Sequence, residues 1–482
     1  MMCHLSKYTT PIPPGNESGR IKRELLLPVT ASEVGWMTAV SAPGKALIAG
    51  GYLVLERENP GLVISLPDAR FYTVIQDGTD PNTIHIRSPQ FPNAHWTYNA
   101  VIESGRVIFQ QDVPQSERHP FIEHALSCVF NYLGNEHVSI NITLLADDAY
   151  YSQGHRTSSK FTHFKDPISA VSKTGLGSSA ALVTSLVGAL LQHYGADVQE
   201  NQLIVHNLAQ VVHCAAQGKV GSGFDVAAAV FGSCEYSRFS PSLLDGFSVN
   251  NSEQYKCLMR THWDVKITPF VLPSEMTIVM GDVKGGSATP GMVKVVTHWR
   301  QTNSEAADLW DKLNKVNTAY IKNLRRLAAC SILHPNEYME AAAIVGKSSA
   351  DHILKLQHPA PSLALFKKVI DFGRWMREAL RKMGDLAGVD IEPPSQTALL
   401  DECAILNGVL CVGIPGAGGN DAIYCLVVGQ GRERLRQCFR TTLATRVREI
   451  ADSHPSMTQR MPPGIVVEKA DEILKCLDRR PL

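Results

Sequence analysis

The stretch "KTGLGSSAALVTSLVGALL" sets Lys173, Gly175, Gly177, Ser178 and Ser179 directly before an apolar run with the length of a helix. A helix start has amide N–H groups without helical acceptors and the positive end of the helix dipole, so a tight Gly-Leu-Gly-Ser-Ser turn offers a seat for an anion. Phosphate is the first candidate. A serine cap on an ordinary core helix would use the same residue types. Three other stretches put reactive side chains beside glycine. "SAPGKALIAGGYLVL" places Lys45 on a Pro-Gly turn entering a strand, "QGKVGSGFDVAAA" places Lys219, Ser222 and Asp225 in one loop, and "GIPGAGGNDA" carries Gly416, Ala417 and Gly418. Each has a plainer reading: a solvated turn lysine, an aspartate capping the "VAAAV" helix, a chain-reversing loop. Together, a cation, a carboxylate and a phosphate cradle are what phosphoryl transfer asks of a protein, which is mainly positioning and positive charge.

The elements that must hold these groups are marked by punctuation. From Met37, short β-branched runs broken by Gly and Pro read as strands and turns, and "INITLLAD" is a further strand. Residues 148–171 are polar, aromatic-flecked and without period, which predicts a mobile loop just before the glycine turn. "NQLIVHNLAQVVHCAAQGK" has a helical period and stops at glycine. A second half begins near Met276, where "MTIVMGDV" reads as a buried strand, three helical stretches run to Met383, and "LCVGIPGAGGNDAIYCLVV" reads strand, glycine loop, strand.

The chain has 482 residues, enough for a large core, with 44% hydrophobic and 19% charged residues. Lys and Arg number 46, as do Asp and Glu, so no global field points to nucleic acid or an anionic membrane. Any anion site must be local. The 11 cysteines lack CxxC or His-Cys clustering, which suits reduced thiols and a cytoplasmic location. No apolar run has transmembrane length, and residues 1–34 read as a flexible tail without the apolar stretch of a signal peptide. Two tempting motifs fall away. "AAAIVGKS", residues 341–348, fits a loose P-loop pattern but follows an alanine-rich helix where that motif needs a strand, and "GIPGAGG", residues 413–419, has no βαβ unit around it.

In their order and spacing, "SAPGKALIAGGYLVL", "KTGLGSSAA" and "GIPGAGGNDA" resemble the motifs of the GHMP kinase superfamily. With "AQGKVGSGFDVAAAVFGS", "GDVKGGSATPGMVKVV" and "IEPPSQTALLDE", the finer resemblance is to phosphomevalonate kinases of the fungal type, from Gly35 to the C-terminus. The resemblance implies an α+β fold: an N-terminal domain like ribosomal S5 domain 2 (35–265), a ferredoxin-like C-terminal domain (266–482), and an active site in the cleft between. It implies ATP and Mg2+ as cofactors and 5-phosphomevalonate as acceptor in isoprenoid and sterol synthesis. Small molecules are then the partners of a monomer or homodimer that binds neither nucleic acid nor membrane.

By the same resemblance, Lys45 and Asp225 are catalytic, and Lys173, Thr174, Gly175, Leu176, Gly177, Ser178, Ser179 and Ala180 wrap ATP, with Ser179 on the metal. The doubly charged acceptor needs local cations. Lys219, Ser222, Lys284, Ser287, Thr289, Gly416, Ala417 and Gly418 are expected around it, although Thr289 could simply cap a helix. "RSPQFPNAHW", residues 87–96, is the candidate adenine wall, and Ser395 in "IEPPSQT" reaches the cleft or starts a helix. Two departures stand out. Mevalonate kinases have a metal-binding glutamate where this chain has His213 or Cys214, and Gly51 replaces a motif-one glutamate. A hydroxyl-acceptor kinase such as mevalonate kinase, the related diphosphomevalonate decarboxylase and a non-catalytic sensor are the other readings; "KGGSATP" and the extra lysines argue against the first, Lys45 against the second, and Lys45 with Asp225 against the third.

Overall fold

The structure is a computed structural model that describes residues 37–103, 106–112, 117–135, 138–152, 160–245, 257–259, 261–283, 289–420, 422–444, 447–453 and 464–478. The tail expected over 1–34 lies outside the described residues, as do Lys284 and Ser287.

The larger sheet contains β1 (Met37–Ala49), β2 (Gly61–Asp77), β3 (Thr83–Arg87), β4 (His95–Glu103), β5 (Arg106–Gln111), β6 (Ser139–Ala146), β7 (Cys234–Ser237) and β8 (Lys266–Pro269). The smaller one contains β9 (Met276–Val283), β10 (Val409–Gly413), β11 (Ala422–Val428) and β12 (Val447–Asp452), while β13 (Val466–Glu468) returns to the first. The first sheet runs β13-β1-β2-β6-β3-β4-β5, with β7 pairing β2 and β8 pairing β7. The β3–β6 pair is parallel and its other ladders are antiparallel. The second runs β10-β11-β9-β12, antiparallel throughout. The division expected at 265/266 therefore moves: β8 still belongs to the first sheet, and the C-terminal segment comes back to cover it.

On one face of the first sheet lie α1 (Pro120–Leu133), α2 (Ser178–His193), α3 (Gln202–Gln217) and α4 (Phe224–Phe231). α2 is apolar all round because it is buried all round, lying against β1 and β2 and beside α3 and α4. Each Leu or Val it removes from water contributes about 1.5–3 kcal/mol. The opposite face of the sheet, with Ala39, Tyr72, Val74 and Leu145, is closed by Ala470 and Ile473 near the end of the chain. Sheet residues buried on both faces explain why β1 and β2 read as nearly continuous apolar runs.

In the second half, α5 (Thr289–Thr302), α6 (Ala306–Leu333), α7 (Pro335–Gly346), α8 (Ala350–Lys355) and α9 (Pro361–Ala387) replace the three helical stretches expected. Pro335 and Pro361 sit at first helical positions and restart the helix where periodicity alone runs on. The "AAAIVGKS" stretch is the end of α7, as its alanines implied. Next come α10 (Pro394–Ala404), which makes Ser395 part of a helix start, α11 (Gly431–Arg440), and α12 (Ala470–Asp478) on the first sheet. Among the described residues no helix is long and apolar enough to cross a membrane.

Candidate active site

β1 carries Lys45, and the expected Pro-Gly turn before it is absent. The strand runs unbroken, with a register shift between Pro43 and Gly44, whose partners on β2 are Arg70 and Leu66. A bulge adds twist and re-aims the next side chains without ending the ladder. The Lys45 amide then donates to the Leu176 carbonyl at 2.9 Å, and its ammonium to the Gly175 carbonyl at 3.1 Å. The lysine of the first motif is thus held on the glycine turn of the second. Its stem lies against the turn so closely that a methyl at residue 177 would stand 3.0 Å from Lys45 Cε. Gly177 also has φ +82°, so a side chain there meets both strain and a clash.

Within the turn, Thr174 is fully buried and spent on structure: its hydroxyl donates to the Ala149 carbonyl at 2.7 Å and its amide to the Tyr150 carbonyl. Leu176 and Ala180 point into the core. A nucleotide can therefore meet these three only through their backbone. Gly177 is the N-cap of α2, and no side chain caps it, so the serine-cap reading fails. The Ala181 amide bonds the Gly177 carbonyl, which leaves the amides before it without helical acceptors. Lys173 pairs with Tyr151 in an isolated bridge, tying the turn to the start of the 148–171 segment. Residues 153–159 of that expected mobile loop lie outside the described residues.

Ser179 Oγ is 3.1 Å from His213 Nε2, which also stands 3.1 Å from Gln217 Nε2 and 3.8 Å from Asp225 Oδ2. Of the two residues the sequence left open, His213 faces the site, whereas Cys214 Sγ accepts from Gln210. Sequence reading missed this linking role of His213. Its position one turn from Gln217 on the helix before the Asp225 loop was the available signal. Asp225 lies in the first turn of α4, whose N-cap is Gly223, so it serves the helix start as well as the site. The Lys45 ammonium lies 5.6 Å from the centre of the Phe224 ring. Lys45, the glycine turn, Ser179 and Asp225 are one cluster.

A row of rings leads away from His213: Phe121 at 5.7 Å, then His119 at 6.1 Å and Trp96 at 5.5 Å. Burial, and then the charge of Lys173, push the His119 imidazole down to about 4, so it is neutral at physiological pH. Its Nδ1 has no hydrogen-bond partner among the described residues.

The Gly416–Gly418 loop reaches the site differently from expectation. The Gly416 amide is spent on the Leu47 carbonyl at 3.2 Å, and the Ala417 carbonyl accepts from Tyr52 at 2.5 Å. These bonds, with Tyr424 donating to the Ile48 carbonyl, clasp the second domain to β1 just past Lys45. Lys219 and Ser222 lie on the loop before α4. Thr289 begins α5, next to the undescribed 284–288 segment. Beside that segment, Ser152 Oγ donates to Asp282 on β9 at 2.5 Å. Among the described residues no group of three or more His, Cys, Asp or Glu could hold a metal.

The family described as "GHMP kinases N terminal domain" matches residues 162–233. The phosphomevalonate kinase of Aspergillus fumigatus is 36% identical over 81% of this chain and 87% of its own length. That of Candida albicans is 37% identical, covering 81% and 89%. The peroxisomal phosphomevalonate kinase of Arabidopsis thaliana is 32% identical over 91% and 97%. Among solved structures, Streptococcus pneumoniae phosphomevalonate kinase in complex with phosphomevalonate and AMPPNP superposes with a TM-score of 0.57 at 17% identity, covering 86% of this chain and 98% of that one.

Proposed function

Because the chain belongs to the phosphomevalonate kinase family, within the GHMP kinases, we propose that it transfers the γ-phosphoryl group of ATP to the phosphate of (R)-5-phosphomevalonate. The products are (R)-5-diphosphomevalonate and ADP, on the route to isoprenoids and sterols. The observation that carries the reading is the joining of Lys45 to the Gly175 carbonyl, which brings the one cation of the first motif to the glycine turn of the second. In this reading Lys45 neutralises charge on the transferring group, and amides of the turn hold the nucleotide phosphates. For the adenine we propose the row of Trp96, His119 and Phe121.

Magnesium fits as a passenger of the nucleotide. Its hard-oxygen preference is met here by the Ser179 hydroxyl, while the neighbouring His213 is a poor donor for it. Held near Ser179, magnesium would supply positive charge to the ATP phosphates. Ser179 and Asp225 would orient the reacting groups around it. The cytoplasmic location belongs to the same proposal; the peroxisomal Arabidopsis relative sets the alternative.

We assign the acceptor phosphate to Lys284, Ser287 and Thr289, together with Lys219 and Ser222. A coupled assay of ADP release tests both parts of the reading. The parent enzyme should turn over phosphomevalonate and leave mevalonate, galactose and homoserine untouched. Lys284→Ala should raise KM for phosphomevalonate about 10-fold or more with KM for ATP nearly unchanged, because a lost phosphate contact acts on ground-state binding. Preference for mevalonate would overturn the function, and a rise confined to ATP would move this loop to the nucleotide.

A further inference from the structure

Arg238 follows β7 and is only 9% exposed, yet no carboxylate pairs with it among the described residues. Among the described residues its guanidinium donates only to main-chain carbonyls: Leu55 at 2.8 Å, Val220 at 3.0 Å and Gly221 at 2.8 Å. Tyr236, two residues earlier, donates its hydroxyl to the next carbonyl, Ser222, at 2.7 Å. Burial holds the Tyr236 phenol well above its ordinary range, so it remains a donor at any working pH. A buried charge is costly unless something answers it, and here the answer is a row of carbonyl dipoles.

These carbonyls come from two places that matter. Leu55 ends the short turn that follows β1 and Lys45, and residues 220–222 form the loop between Lys219 and Asp225. A trans peptide points its C=O and N–H in opposite directions, so fixing one fixes the other. Carbonyl oxygens held by Arg238 and Tyr236 are not free to turn towards an anionic acceptor. Had this loop turned its carbonyls outwards, their dipoles would oppose an anionic acceptor. Gly223 completes the arrangement: a methyl there would stand 2.6 Å from the Tyr236 hydroxyl, so the loop lies flat on this template.

We propose that Arg238, with Tyr236 beside it, is a positioning residue for the phosphoryl acceptor: it orients the 219–223 loop and keeps that loop's carbonyls out of the anionic centre. The inference rests on the kinase reading given above. Arginine suits the task because its planar fork spans several acceptors at once, whereas a lysine ammonium keeps the charge but loses the fork.

The test is the kinetics of Arg238→Lys, Arg238→Met and Tyr236→Phe, each checked for folding by circular dichroism. Arg238→Met should raise KM for phosphomevalonate about 10-fold and leave KM for ATP within about 2-fold. Tyr236→Phe should do the same to a smaller degree, and Arg238→Lys should fall between parent and Arg238→Met. Folded variants with unchanged constants, or with both KM values raised alike, overturn the proposal. If the Arg238 variants do not fold, Tyr236→Phe decides by the same split. A parent enzyme that ignores phosphomevalonate defeats the functional reading and this inference with it, whereas an active parent with indifferent variants defeats the inference alone.

Discussion

Lys45→Met should fold normally and lose at least about two orders of magnitude in kcat, the scale on which preorganised charge acts at a transition state. Methionine preserves most of the stem that lies along Gly177, and the Lys45 main chain, bonded to the Leu176 carbonyl within β1, needs no particular side chain. What disappears is the ammonium held at the Gly175 carbonyl. Because the transferring group carries more spread charge at the transition state than in bound ATP, kcat should suffer far more than KM for ATP. Steady-state kinetics with a thermal unfolding curve checks this. Unchanged turnover removes Lys45 from the chemistry, and a collapse in stability shows that the substitution tested the fold instead.

Asp225→Asn should lose activity too, but by less than the 10²–10⁴-fold that removal of a general base costs. A hydroxyl acceptor must shed its proton. The acceptor phosphate, with its second pKa near about 6, is largely ionised at neutral pH. Asp225 then has no proton to take, and its negative charge does nothing to attract the acceptor. Its location supports a positioning role, between the α4 start and His213, whose Nε2 also meets Ser179. Asparagine keeps the shape and removes the charge. The kcat of Asp225→Asn against pH should therefore still rise through the ionisation of the substrate near pH 6. Abolished turnover, with that acidic limb gone and Lys45 unmoved in the crystal structure of the variant, would establish Asp225 as a base.

The local rules of the sequence carried well where one element decides its own form. The apolar run after Ser179 is a buried helix, "INITLLAD" is β6, and Gly218 ends α3 in the left-handed conformation its glycine invited. They failed where a distant segment decides. Pro43-Gly44 looks like a turn, but β2 continues opposite it and absorbs the irregularity as a bulge. Thr174 and Gly416 look like ligand contacts, yet Ala149 and β1 claim their hydrogen bonds first. The return of β13 and α12 to the first sheet has no local signal, since only the long-range pairing with β1 calls for it. The family resemblance narrowed this position to His213 or Cys214, and the helical phase that turns His213 towards Ser179 needed the fold. Arg238 looks like any arginine after a short strand, and only its three carbonyl partners give it meaning.

The central claim is that this cluster builds a diphosphate, which the phosphorus spectrum of the product reads directly. With ATP, magnesium and (R)-5-phosphomevalonate, 31P NMR should show the single monoester resonance replaced by two mutually coupled diphosphate resonances, in step with ADP. A second monoester resonance appearing beside an unchanged first one would mean that a hydroxyl had been phosphorylated, and that the acceptor assigned to this cleft is wrong.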